Sequence, residues 1–146
     1  MFPRGITFDD VLLVPGYNGI RSRQSVTTDV QITEALSLRI PVISSNMDTI
    51  TGWQMAAAMA KLGGLGILHR FMSIEQNVAE YRRASESGAV GVCVGVSGDA
   101  MERAEALVAA GASILCVDVA HGHSKMVNQM VRALRDKFGD NICIIA

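Results

Sequence analysis

Aromatic side chains make up only 5% of this 146-residue chain, which leaves too little flat surface for stacking the bases of single-stranded nucleic acid. An excess of either charge is also missing. Thirteen Lys and Arg stand against 14 Asp and Glu, for a formal net charge of −1, so no basic field draws the chain to nucleic acid or to an anionic membrane. Long hydrophobic runs are absent as well, and no apolar stretch reaches the length of a membrane-crossing helix. Met1-Phe2-Pro3-Arg4 has no signal-peptide core behind it, and the expected compartment is the cytoplasm. Cysteine is sparse, with Cys93, Cys116 and Cys143 each inside an apolar, strand-like run. An odd number without metal-ligand spacing argues against a secreted disulfide framework and points to structural thiols in a reducing compartment. What is present is a hydrophobic fraction of 49%, enough at this length to bury one sizeable core.

Residues 1–40 differ from the remainder. Ile6 to Pro15 reads as a short extended segment stopped by Pro15-Gly16, a turn signal. Arg21 to Ile40 mixes Ser and Thr with alternating apolar residues, which predicts short strands and loops covering one end of the main fold. From Pro41 a strand–turn–helix unit repeats. Strands are expected at Val42–Ser45, Leu65–Leu68, Ala89–Val96, Ile114–Val119 and from Asn141 to Ala146. Helices begin at Thr51 with Gln54, at Ser73 with Gln76, at Asp99 with Glu102, and after Ser124; the first two read as capping boxes. The last helix carries Met126, Val127, Met130, Val131, Leu134 and Phe138 along one face.

Gly63, Gly88, Gly111 and Gly139 close the four helices at intervals of about 25 residues, the unit size of a (β/α)8 barrel. A doubly wound open sheet would place a glycine-rich phosphate turn after the first strand, and Ser45-Asn46-Met47-Asp48 contains no glycine. The expected fold is therefore α/β of the TIM-barrel type. Residues 41–146 would supply its first four units and a fifth strand, and residues 1–40 would pack on it. An open half barrel leaves apolar edge strands unpaired near Val42 and Ile144. Such a chain either pairs with a complementary chain or is the front of something longer.

The C-terminal ends of parallel strands are where α/β folds bind ligands. Those ends carry Ser45, Asn46, Met47 and Asp48, then His69 and Arg70, then Ser97, then Asp118, His121 and His123. Asp118 closes an apolar strand, so its carboxylate needs a partner or a ligand hydroxyl such as a ribose. Arg70 suits an anion at the mouth or stands as a solvated loop charge. Met47 offers an adaptable apolar surface to a base or packs in the core. His121 and His123, without a third ligand nearby, read as turn residues and not as a metal pair. Arg82, Arg83, Arg103, Arg132, Arg135 and Lys137 read as solvated helix faces. No nucleophile is paired with a base by spacing.

Thr7-Phe8-Asp9-Asp10-Val11-Leu12-Leu13-Val14-Pro15, Asn46-Met47-Asp48-Thr49, Gly63-Gly64-Leu65-Gly66 running into His69-Arg70, and Asp118-Val119-Ala120-His121-Gly122-His123-Ser124 together resemble the IMP dehydrogenase/GMP reductase family. The resemblance implies a (β/α)8 barrel that binds a purine nucleotide monophosphate, GMP or IMP, with NADP or NAD, usually as a homotetramer. It places Ser45 and Met47 at the nucleotide, where Asn46 and Arg70 are expected beside them from their strand ends, and Asp118, with Val119 and Ala120 beside it, at the nicotinamide. Dehydrogenases commonly carry Ala or Pro where Asn46 stands and Ser or Thr where Val119 stands. Those two positions and His69-Arg70-Phe71 look more like a reductase, which implies NADPH-dependent deamination of GMP to IMP. NAD-dependent oxidation of IMP to XMP is the alternative, and a non-catalytic half barrel with a binding or assembly role is another. Ser85-Glu86-Ser87-Gly88 runs directly into the third strand, without the CBS pair that dehydrogenases usually insert there. The resemblance places the family's catalytic Cys on a later loop, beyond Ala146. No catalytic residue is therefore assigned among these residues. Alone they are expected to be inactive and to need a C-terminal half barrel, from the same gene product or a second chain.

Overall fold

The computed structural model describes residues 4–146; Met1 to Pro3 lie outside the described residues. A hairpin of β1 (Val30–Thr33) and β2 (Leu36–Leu38) precedes the main sheet. Strands β3 (Ile43–Ser44), β4 (Leu65–Leu68), β5 (Val90–Val94), β6 (Ile114–Val117) and β7 (Cys143–Ile145) then pair in parallel, in the order in which they occur along the chain. Helices α1 (Trp53–Leu62), α2 (Ile74–Ser85), α3 (Ala100–Ala109) and α4 (Lys125–Phe138) connect them. A doubly wound sheet reverses its strand order and carries helices on both faces. Here the order never reverses, and all four helices contribute to one apolar cluster on one face. This is a partial TIM barrel, as the glycine spacing predicts.

Strand alternation divides the core in two. Leu68, Val90, Val92, Val94, Leu115 and Val117 face the helices, meeting Ala56, Tyr81, Ala84, Leu107, Met130 and Leu134. Leu65, Ile67, Cys93 and Ile114 face the other way, where Leu36 and Leu38 of the hairpin cover them. Burial of those two leucines explains why the hairpin stays on the sheet. The segment before it behaves differently: Phe8, Leu12, Leu13, Val14 and Tyr17 are all more than 90% exposed. Within the expected extended stretch, residues Phe8–Asp10 form a 3-10 turn, because Asp10 accepts from the Thr7 backbone N–H at 2.9 Å.

Several local expectations need correction. Thr51 does not cap α1; the N-cap is Gly52. The Thr51 hydroxyl instead donates to the Ser45 carbonyl and meets the Ser44 hydroxyl at 2.9 Å, while Glu80 from α2 accepts the Trp53 N–H at 3.2 Å. The Ser73–Gln76 capping box is present, and Ser124 caps α4 by accepting from Val127 N–H. Asp99 sits at the α3 N-cap but makes no cap bond, because Arg103 takes its carboxylate. Met126 points outward at 50% exposure, off the buried stripe of Val127, Met130 and Leu134. The fifth strand is shorter than expected: Asn141 belongs to a 3-10 turn and Ala146 lies just past the last paired residue, exposed. All four helix-ending glycines have positive φ. At Gly63, φ of 88° lets its N–H reach back to Ala60 and turn the chain straight into β4.

Candidate functional site

Three strand ends converge at one end of the sheet. After β3, Asn46 is half-buried at the end of its strand, the same end of the sheet as Arg70 and Asp118. The following loop is closed by Met47, whose carbonyl accepts the N–H groups of both Ile50 and Thr51 at 3.0 Å. Ser45 and Asp48 are exposed, and Met47 is half exposed. Met47 therefore does not pack in the core and is free to offer its surface to a ligand.

After β4, His69 is buried and its Nδ1 accepts the Phe71 N–H at 3.2 Å, which folds the chain back and projects Arg70. The Arg70 guanidinium lies 4.9 Å from the Phe71 ring centre. It also lies flat over Gly95, where an added Cβ would meet it at 3.6 Å. Its Nε stands 3.5 Å from Asp118 Oδ2. That nitrogen has no hydrogen-bond partner among the described residues although it is shielded from solvent. Asp118 extends the β6 ladder by one residue, donating its N–H to the Val94 carbonyl at 2.9 Å. The site therefore holds a guanidinium–carboxylate pair, about one-third and one-quarter exposed, with Asn46 nearby and thiols beneath.

Those thiols are Cys93 and Cys116, direct partners across β5 and β6. Hydrogen bonding with Cys116 and burial push the Cys93 thiol up, while the same bond holds Cys116 down. Cys143 on β7 is raised by burial. Cys93 is fully buried; Cys116 and Cys143 are half-buried. All three lie within strands and none in a mouth loop.

Of the other candidates, Val119 packs against the helix-side core, and Ala120, His121 and His123 are exposed on the loop before α4. Ser97 is exposed in the turn before α3. No group of three or more metal-ligating side chains gathers among the described residues. A hollow of about 530 Å³ runs along α4, lined by His123, Ser124, Lys125, Asn128, Gln129 and Arg132. It includes neither Arg70 nor Asp118, so it lies apart from the convergent polar groups.

One reading of the basic residues is overturned. Arg103 is not a solvated helix charge but is 4% exposed. Its guanidinium donates to Asn77 Oδ1 at 3.0 Å, to the Met72 carbonyl at 2.8 Å and to Asp99 at 2.6 Å. Asn77, fully buried, donates in turn to the His69 carbonyl at 3.3 Å. The sequence does carry a signal for both. Arg103 lies on the apolar stripe Ala100, Ala104, Leu107, and Asn77 on the stripe Ile74, Val78, Tyr81.

A family model described as IMP dehydrogenase / GMP reductase domain matches residues 5–146. The inosine-5'-monophosphate dehydrogenase of Cryptosporidium parvum is 31% identical over 97% of this chain and 46% of its own length. A GMP reductase of Leishmania donovani is 45% identical over 58% of this chain and 17% of its own length. The crystal structure of inosine 5' monophosphate dehydrogenase from Legionella pneumophila superposes with a TM-score of 0.87 at 48% identity, covering 97% of this chain and 43% of that one. The chain thus spans less than half the length of the relatives it matches. No helix among the described residues is long and apolar enough to cross a membrane.

Proposed function

The chain belongs to the IMP dehydrogenase/GMP reductase family, and on that premise we propose that it forms the nucleotide-facing first half of a purine nucleotide oxidoreductase barrel. The observation that carries this reading is the convergence of Asn46, Arg70 and Asp118 from three different strand ends, with Arg70 and Asp118 paired at 3.5 Å. In this reading Ser45, Asn46, Met47 and Arg70 face the nucleotide, Arg70 supplying charge and Met47 a soft apolar surface to the base. Asp118, Val119 and Ala120 face a nicotinamide dinucleotide. The fit is chemical: Asp118 is a part-exposed acceptor at the mouth, able to take hydrogen bonds from ribose hydroxyls or a carboxamide. When bound, the dinucleotide supplies the hydride acceptor or donor.

Between the two reactions we prefer NAD-dependent oxidation of IMP to XMP, with GMP reduction by NADPH second. Both the relative aligned along 97% of this chain and the superposed structure bear the dehydrogenase name. The lean toward a reductase rests largely on Asn46, Val119 and His69-Arg70-Phe71, all in connecting loops, where relatives vary most. The remaining strands of the barrel, and the reactive Cys expected on a later loop, would come from residues beyond Ala146 on the same or a second polypeptide, in a homotetramer. Cys93, Cys116 and Cys143 do not replace it, since each is fixed within a strand.

Nicotinamide absorbance followed with IMP plus NAD, and with GMP plus NADPH, tests this together with calorimetric titration of each nucleotide. The expected result is measurable IMP binding, weakened at least about tenfold by Arg70→Gln, and no turnover in either mixture. Turnover by this chain alone would overturn the half-enzyme reading. Binding of neither IMP nor GMP would overturn the nucleotide site and leave a half barrel with an assembly role.

A further inference from the structure

Arg103 is a buried cation that the surface reading of helix charges does not account for. A guanidinium this shielded is tolerated only when its donors are met. Its one carboxylate partner, Asp99, is half exposed; its other partners are Asn77 and the Met72 carbonyl. Through Asn77 the network reaches the His69 carbonyl. The two carbonyls it holds, His69 and Met72, therefore bracket Arg70. A third bond, from Met72 N–H to the Arg70 carbonyl at 2.9 Å, closes the loop between them. On the far side, the ring of His69 fixes the Phe71 N–H, and Phe71 underlies the Arg70 guanidinium. The backbone on both sides of Arg70 is thus tied to α2 and α3, not merely to its own strand.

We propose that Arg103 and Asn77 are positioning residues: by holding the carbonyls of His69 and Met72 they fix the Arg70 guanidinium over Gly95 and against Asp118. This rests on the reading of Arg70 as part of the nucleotide site, but its geometry can be tested without a nucleotide. Two parts of the network are separable. In Asn77→Asp the acceptor for Arg103 is kept and the donor to His69 is lost. In Arg103→Lys the charge beside Asp99 is kept, but a single ammonium does not span Asn77 and Met72. Asp99→Asn leaves both carbonyl bonds in place and serves as the control.

The readout is the Arg70 Nε–H resonance in nitrogen–proton correlation spectra, a proton shielded from solvent in the parent chain. A resolved, slowly exchanging signal is expected in the parent and in Asp99→Asn, and its loss in Asn77→Asp and Arg103→Lys with thermal midpoints still marking a folded chain. A signal retained in either folded Asn77 or Arg103 variant would overturn the proposal, because a purely structural network would leave Arg70 in place. Should both variants fail to fold, the parent decides. The Arg70 Nε–H must then exchange no more than about tenfold faster than the Arg103 guanidinium protons, since they open together; a larger gap overturns the proposal. IMP titration of folded Asn77→Asp is expected to show about tenfold weaker binding, as when an orienting outer partner is lost. If the parent binds no IMP, the nucleotide reading fails while the resonance still decides the positioning.

Discussion

Gly66 lies in the middle of β4 where α1 comes down on the sheet. A Cβ at this position would stand 2.4 Å from Ala56 Cα and 2.9 Å from Ala56 Cβ. Carbon atoms pack at about 3.5–4.0 Å, so Gly66→Ala forces α1 outward by roughly an ångström. No rotamer change relieves this, because the nearest atom is backbone and Ala56 is fully buried. Overpacking of a tight core costs about 1–3 kcal/mol. Gly66→Ala belongs at the top of that range, about 3 kcal/mol, or a midpoint lowered by roughly 10 °C. Gly95→Ala is the matched control, since its Cβ would make only ordinary van der Waals contact with the Arg70 guanidinium, at 3.6 Å or more; its cost is about 0.5 kcal/mol or less. The single tryptophan, Trp53, begins α1, so urea unfolding followed by its fluorescence reads the affected contact directly. A Gly66→Ala chain within about 1 kcal/mol of the parent would refute the close helix–strand approach.

Two further outcomes follow from burial. Leu38→Ala, at a position 3% exposed beneath Leu65, Ile67 and Cys93, is expected to cost about 2–4 kcal/mol in urea unfolding. Leu13→Ala, at a position 97% exposed, is expected to cost less than about 0.5 kcal/mol, and equal effects would mean that the hairpin does not cover the sheet. The second concerns pH. Cys93 is raised by its hydrogen bond with Cys116 and by burial, and Cys143 and Tyr81 are raised by burial. Each keeps its proton when folded and sheds it more readily when unfolded. The stability they contribute is present below their unfolded values and is lost as pH rises past them, by up to about 1.4 kcal/mol per pH unit for each group. Cys116, held down by the same thiol bond, offsets part of that slope. The urea midpoint should therefore fall between about pH 8 and about pH 10, and a flat or rising midpoint would contradict the buried protonated thiols.

Much of this fold is legible because its signals are local. The glycines at 63, 88, 111 and 139 all adopt positive φ, a helix-ending conformation that glycine takes without a Cβ penalty, so their spacing counts the units before any contact is known. Leu65–Leu68 matches its expected strand residue for residue, since an apolar run between a glycine turn and a polar loop has one sensible reading. Strand ends are less legible. Val42–Ser45 shrinks to Ile43–Ser44, because β3 has a neighbour on only one side, β4. Thr51 misleads for a related reason: Thr-x-x-Gln fits a capping box locally, but Ser44 and Ser45, brought near by the sheet, compete for its hydroxyl.

The candidate site divides along the same line. Arg70 and Asp118 stand out in sequence because each breaks an apolar strand at the end where ligands bind, yet their pairing across β5 becomes visible only once β4 and β6 are placed. The network behind them is hidden by a different confusion. A charged residue on a helix is solvated in most cases, and that prior suits Arg82 and Lys137, which are exposed. It fails for Arg103 because the relevant variable is the face of the helix and not the residue type. Arg103 and Asn77 occupy the second position of the stripes Ala100-Arg103-Ala104-Leu107 and Ile74-Asn77-Val78-Tyr81. A polar residue in that position is carried into the core by its neighbours and must find a partner there. Two such residues on consecutive helices meet each other, since α2 and α3 pack side by side. Stripe position marks Asn77 and Arg103 as buried polar residues in need of partners; their bond to each other and the loop carbonyls that complete the network needed the fold.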